Sequence, residues 1–298
     1  MNLLVTGSSG FIGSKVVSRL KLLGHKVIPY DLVDSRSILD VNQLEELIPE
    51  VDAVFHIAAQ ADLTQMSESI GAGRQGVILN VTGTNNVACL CAKYKKWMIY
   101  ASTVCVYGNQ DSWPEREDST LPNPAELYSC SKYAGEWIMR GYGYNYGMPW
   151  TSLRFATVYG EGMREALGLH IFFSQAIRNL PITVHGDGSQ VRTLTYIHDL
   201  VDGIVSVLDH PRSQNQVINL SSTEQISALK MAEDVKKITD SSSEIIFIPQ
   251  RNNQTIHENF DVSKAEKILS WKAKTSWNDG LKLTYDWINE TLRARVSA

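Results

Sequence analysis

A chain of 298 residues, 43% hydrophobic and 20% charged, is long enough for one large core or for a large domain with a smaller partner. Its formal net charge of -4 offers no basic surface for nucleic acid or an anionic membrane, and no apolar run is long enough to cross a bilayer. Cys89, Cys91, Cys105 and Cys130 have neither metal-ligand spacing nor the density of a disulfide scaffold, so a reducing cytoplasm and no metal centre are expected.

The chain opens at once on a core strand, Leu3-Leu4-Val5, with nothing like a signal peptide before it. Thr6-Gly7-Ser8-Ser9-Gly10-Phe11-Ile12-Gly13 follows and reads as a strand turning into a helix. Three glycines at this spacing suit a tight bend at Gly7, close approach of a pyrophosphate at Gly10 and helix-on-strand packing at Gly13. The helix would then point its free N–H groups and positive dipole end at the phosphates. Ile12, Val16, Leu20 and Leu23 recur at helical spacing, Gly24-His25 ends the helix, and Lys26 to Tyr30 begins a second strand. Asp31 closes that strand, where a carboxylate can accept from adenosine ribose hydroxyls and repel a 2′-phosphate, selecting NAD over NADP.

Further on, Leu44, Leu47 and Ile48 give a helix behind Asp40-Val41, and Asp52 to Ala59 a third apolar strand whose small Ala58 and Ala59 leave room for a ligand. Residues 61 to 79, rich in Gly, Ser and Gln, show no clear period. Asn80 leads into a helix on which Cys89 and Cys91 read as packing residues; Trp97 to Tyr100 is a fourth strand, ending at Ala101-Ser102-Thr103. A turn-rich loop from Gly108 to Pro124 precedes a helix that starts near Tyr128 and passes Trp137 and Met139, and Trp150 to Phe155 is a fifth strand. Alternating short strands and helices indicate an α/β doubly wound parallel sheet. Beyond Gly160 the alternation weakens. Helical patterns near 168 to 178, 198 to 208, 228 to 238 and 277 to 290 alternate with short strands around 182 to 184, 217 to 219 and 245 to 247. These predict a smaller mixed domain over 161–298, some of whose segments return to the domain at 1–160.

Tyr128 and Lys132 stand at i and i+4, hence on one helical face, where an ammonium would lower the phenol toward the range of a general base. Ser102 and Thr103 end a strand on the rim where open parallel sheets bind ligands, so a hydroxyl there can orient a substrate oxygen. His198-Asp199 could pass for a catalytic pair, but adjacent helical residues point apart; Asp199 reads instead as a helix-start residue.

With the glycine turn, Asp31, His56-Ile57-Ala58-Ala59-Gln60, Asn80-Val81-Thr82-Gly83-Thr84, Ser102-Thr103, Tyr128 with Lys132, Arg154 to Gly160 and Gly186 to Arg192 in this order, the sequence resembles an extended short-chain dehydrogenase/reductase of the NAD-dependent epimerase/dehydratase family acting on nucleotide sugars. The resemblance implies a Rossmann domain over 1–160 and a mainly nucleotide-sugar-binding domain over 161–298. Gly7, Gly10 and Gly13 with Phe11 and Ile12 would hold the NAD pyrophosphate, Asp31 the adenosine ribose, and Asp40 with Val41 the adenine edge. Ala58, Ala59, Gln60, Asn80, Ser102 and Phe155 would line the way to the nicotinamide. Tyr128 would act as base and Lys132 would also bind the nicotinamide ribose. Thr103 and Thr157 would meet the sugar, and Arg192 and Arg251 the diphosphate of a UDP-sugar, the favoured substrate class.

In place of the Asp-Glu pair of sugar-nucleotide dehydratases, Val104 and Cys105 follow Thr103, and the decarboxylases' nearby Glu is missing too. The expected reaction is therefore C4 epimerisation of a nucleotide hexose through a transient keto sugar and enzyme-bound NADH. The alternatives are a keto-sugar reductase or dehydrogenase of the same fold, and a non-catalytic NAD-binding sensor. The family habit of pairing two helices per subunit implies a homodimer through the helices after Asn80 and from Tyr128.

Overall fold

A computed structural model describes residues 1–250 and 255–296. The chain begins β1 (Asn2–Thr6), α1 (Phe11–Leu22), β2 (Lys26–Tyr30), α2 (Val41–Leu47), β3 (Ala53–His56). Residues 61 to 79 then form two short helices, α3 (Leu63–Ser67) and α4 (Ile70–Val77), and a π-helical turn at Ile78–Thr82 leads into α5 (Gly83–Tyr94). β4 (Trp97–Thr103), the long α6 (Leu127–Tyr146) and β5 (Trp150–Phe155) complete the alternation. The remainder contains β6 (Thr157–Tyr159), α7 (Gly168–Ile177), β7 (Ile182–His185), β8 (Val191–Tyr196), α8 (Ile197–Ser206), β9 (Gln216–Leu220), β10 (Gln225–Ser227), α9 (Ala228–Ile238), β11 (Ile245–Ile248), α10 (Ser263–Leu269) and α11 (Trp277–Val296).

The main sheet has the order β2-β1-β3-β4-β5-β9, every neighbour parallel. All four residues of β3 and all seven of β4 are buried, as parallel strands covered on both faces require. Successive side chains of β1 enter opposite layers: Leu3 and Val5 pack with Val16, Leu20, Leu200 and Ile204 on one face, Leu4 with Leu44, Val87 and Met139 on the other. The strand order reverses between β1 and β3, so the two following loops diverge and leave a crevice at the carboxyl edge.

The second half of the chain is not a detached unit. β9 pairs with β5, and α8 packs on α1 with Arg19 paired to Asp202 at 2.9 Å. Smaller sheets, β10-β8-β6 and β11-β7, extend from the carboxyl edge. Asp199 stands in the first turn of α8, but Tyr196 occupies the cap position; the Asp199 carboxylate accepts the backbone N–H groups of Lys274 and Thr275 at 3.0 and 2.7 Å and fixes the approach to α11. The pairing of Cys89 with Cys91 as packing residues needs correction. Two positions apart on α5, they face differently, and Cys91 is buried while Cys89 is exposed. Among the described residues no helix is long and apolar enough to cross a membrane, and no cluster of His, Cys, Asp or Glu could hold a metal ion.

Candidate active site

The crevice at the carboxyl edge holds a cavity of about 450 Å3 that runs from Asp31 and Arg36 at one end to Tyr128, Thr157 and Arg164 at the other. Its first wall is the glycine turn. Gly7 has φ 71°, and a Cβ on Gly13 would lie 1.9 Å from the Gly7 carbonyl oxygen, so turn and helix can touch only as glycines. At Gly10 a Cβ would meet the Gly7 oxygen at 3.3 Å and nothing else within 4 Å; it would occupy space open to a ligand. Gly10 caps α1 with no side-chain hydrogen bond and no acid in the first turn, and the buried Ser8 hydroxyl in the same turn has no partner. An uncapped helix start, an orphaned hydroxyl and an open cradle together suit a pyrophosphate.

The Asp31 carboxylate accepts from Ser9 N at 2.9 Å and Val33 N at 3.3 Å, which ties the glycine turn to the end of β2. Phe11, Ile12, Ala58, Ala59, Gln60, Ser102 and Phe155 all line the cavity. Asp40 and Val41 do not: the Asp40 carboxylate caps α2 by accepting from Asn42 N and Gln43 N, and Leu32, Arg36 and Ile38 form the wall there instead. Asn80 also stands behind the lining. Its side chain accepts from Gln60 N at 2.7 Å and donates to Gln60 O at 3.0 Å and Ser131 Oγ at 2.9 Å, so it fixes the Gln60 loop against α6. The π-helical turn supplies the extra residue that aims it inward.

Thr103 ends β4 and Tyr128 begins α6, where Glu126 and Ser129 form a reciprocal capping box that sets the first turn. Tyr128 lies half-buried in the cavity. Burial pushes its phenol well above the ordinary value, Cys105 adds to this, and the Arg164 charge and the Thr103 hydroxyl act the other way. The cation beside Tyr128 is thus Arg164, not the expected Lys132. Lys132 lies 2% exposed behind the lining, its Nζ 4.1 Å from the centre of the Tyr100 ring, and burial pulls its ammonium down to about 7 against the opposing pull of Glu136. Lys132 is poised to titrate; Arg164 is permanently charged.

Arg164 went unnoticed in the sequence because residues 160 to 167 carry no period. Among the described residues its carboxylate partner is Asp62, at 3.9 Å. Among the described lining residues Asp31, at the far end, is the one acid; Val104 and Cys105 line the wall together with Tyr128. Thr157 reaches the cavity from β6, whereas Arg192 stands on β8 outside it, donating to Val191 O at 2.8 Å with its Nε 3.4 Å from Glu258 Oε1. Arg251 lies outside the described residues. His198 contacts Glu161 at 3.2 Å, and Asp199 is held by the α11 approach, so the two share no proton.

Residues 3–221 match the model of the NAD dependent epimerase/dehydratase family. The chain belongs to that family. A UDP-N-acetyl-alpha-D-glucosaminuronate decarboxylase of Bacillus cytotoxicus is 29% identical to it, over 96% of this chain and 97% of the relative. Among solved structures, UDP-glucose 4-epimerase of Thermotoga maritima with UDP-glucose superposes with a TM-score of 0.91 at 30% identity, over 98% of this chain and all of that one. UDP-glucuronic acid 4-epimerase of Bacillus cereus, in complex with UDP-glucuronic acid and NAD, gives 0.90 at 29%, again over 98% and 100%. Family members thus include an epimerase and a decarboxylase on one fold, and the reaction must be argued from the site.

Proposed function

We propose that this protein is an NAD-dependent epimerase that inverts C4 of a UDP-hexose through a 4-keto sugar. The observation that carries the reading is the make-up of the cavity around Tyr128. A hydroxyl, a phenol and a cation line it there, with no carboxylate among the described lining residues at that end to eliminate water or protonate a second carbon. Tyr128 takes the proton of the C4 hydroxyl and later returns one, while Thr103 holds that oxygen in line. The chemistry supplied by bound NAD is reversible hydride transfer at the carbinol carbon. Gly7, Gly10, Phe11, Ile12, Gly13 and Asp31 would bind it, Lys132 its nicotinamide ribose, and Ala58, Ala59 and Phe155 would keep water from the ring. Residues 1–160 would thus serve mainly the cofactor and 161–298 mainly the sugar nucleotide, with Thr157 toward the hexose and Arg192 toward the diphosphate.

Arg164 favours a refinement. A C5 substituent is one carbon removed from C4, so a guanidinium in the lining at the Tyr128 end of the cavity suits a hexuronate carboxylate. Incubation with UDP-glucose, UDP-galactose, UDP-glucuronate and the N-acetylated hexoses, with products separated by chromatography, tests both statements. Interconversion of a C4 pair without net absorbance change at the NADH band is expected. Stoichiometric cofactor consumption would indicate a reductase, and inertness toward the whole panel a sensor. Arg164→Met should cut turnover of the uronate more than that of the neutral hexose.

A homodimer is part of the proposal. α6 exposes Trp137 (55%) and Tyr144 (92%), two turns apart on one side, and α5 exposes Cys89; a second copy could cover these outer faces.

A further inference from the structure

Four residues past Lys132 and eight past Tyr128, on the same face of α6, lies Glu136, 1% exposed. Its Oε1 accepts from Ser102 Oγ at 2.5 Å and Arg154 Nε at 3.0 Å, and its Oε2 from Arg154 Nη2 at 2.8 Å. Arg154 belongs to β5 and is itself 2% exposed; its guanidinium lies 4.7 Å from the centre of the Tyr107 ring, whose hydroxyl donates to Asn219 Oδ1 in β9 at 2.9 Å. One carboxylate therefore ties the helix of Tyr128 and Lys132 to β4 and β5, and through Arg154 and Tyr107 on to β9. Stability alone is a poor reason for such a pair, since well-packed apolar residues usually do as well.

The neighbours of Lys132 supply another reason. His56 faces it from β3, held neutral because burial pulls the imidazole down to about 3, with Thr6 and Thr84 hydroxyls at its two nitrogens. Tyr100 faces it from β4, its phenol pushed up by burial. Arg154 of β5 is paired with Glu136, and Tyr128 shares the helix. Among these groups Glu136 is the one carboxylate. The Ser102 hydroxyl donates to Glu136, and Ser102 is at the same time a residue of the cavity lining.

The geometry points to Glu136 as a positioning residue of the reaction centre: through Ser102 it sets α6 on the rim of β4, and it places a carboxylate one helical turn from the Lys132 ammonium that would bind NAD. This rests on the assignment of Lys132 to NAD and not on the identity of the sugar. The test is therefore NAD binding without sugar, followed by tryptophan fluorescence from pH 6 to 9 in wild type, Lys132→Met, Glu136→Gln and Ser102→Ala. Wild-type affinity should fall as pH rises and Lys132 loses its proton. In Glu136→Gln the fall should begin at least one pH unit lower, so that NAD binds about tenfold more weakly at pH 7.5 and the two curves converge toward acid. Lys132→Met should be pH-independent, and Ser102→Ala should keep the wild-type pH course. A Glu136→Gln curve parallel to wild type would overturn the proposal, as would wild-type binding that does not change with pH. If Glu136→Gln does not fold because Arg154 is left unpaired, Glu136→Gln with Arg154→Met is compared with Arg154→Met alone, from which only the Glu136 charge then differs, and the same shift is expected between those two. Failure of the epimerase assignment would leave all these titrations as they stand.

Discussion

Tyr128 and Lys132 divide the work differently from what their spacing suggests. The i, i+4 relation does put both on one face of α6, but the ammonium goes under the floor against Tyr100, while the charge that acts on the phenol is that of Arg164 in the cavity lining. Tyr128→Phe should retain NAD and lose at least about a hundredfold in turnover, because the proton acceptor is gone and the fold is untouched. Single-turnover assays and NAD titration separate these effects. Lys132 is charged at a cost. Its proton affinity is lowered on folding, so between about pH 7 and the ordinary lysine range near 10 the unfolded chain binds more protons and stability rises with pH. Lys132→Met should accordingly stabilise the protein most below pH 7, by up to about 4 kcal/mol, with the gain fading toward pH 10. Urea titrations at pH 6 and pH 9 measure the difference.

At the scale of elements, the β1–α1–β2 unit is written locally. An apolar strand, a turn whose glycines touch each other, and an amphipathic helix need no distant partner to be recognised. Gly10→Ala should therefore disturb folding little, since its Cβ meets only the Gly7 oxygen, at 3.3 Å, and should weaken NAD binding by at least about tenfold through the lost approach to the pyrophosphate. Calorimetric titration, with circular dichroism as the folding control, reads both. α4 shows the opposite case. A Cβ on Gly73 would lie 2.7 Å from Leu127 Cδ1 and one on Gly76 2.6 Å from Met66 Cε, so glycines needed for close packing erase the apolar period that would have announced a helix. β6, β8 and β10 were illegible for another reason: each is short and is fixed by partners far along the chain, as when Thr157 pairs with Leu194. Of the site, residues carried by the regular alternation could be read, whereas Arg164 and Glu136 acquire their roles only when strands and loops converge.

For the molecule as a whole, the parallel sheet supplies the rim and the second half of the chain closes over it. That closure is built into the fold by β9 and α8, which return to the first half while β6 and β8 lead away from it. If two copies pair through α5 and α6, the surfaces of contact are the outer faces of the helix that carries Tyr128. Trp137→Glu should convert a dimer into a monomer in light scattering and lower activity with it, because a charge cannot be buried there without a partner. The central claim concerns one carbon and one hydrogen. UDP-glucose carrying deuterium at C4, incubated with the protein and NAD in ordinary water, should yield UDP-galactose that keeps the deuterium at C4, as read by NMR, with no net absorbance at 340 nm. If the uronate is preferred, the C4-labelled UDP-glucuronate gives the same result. Loss of the label to solvent, or no inverted product from either sugar, would contradict epimerisation by hydride return.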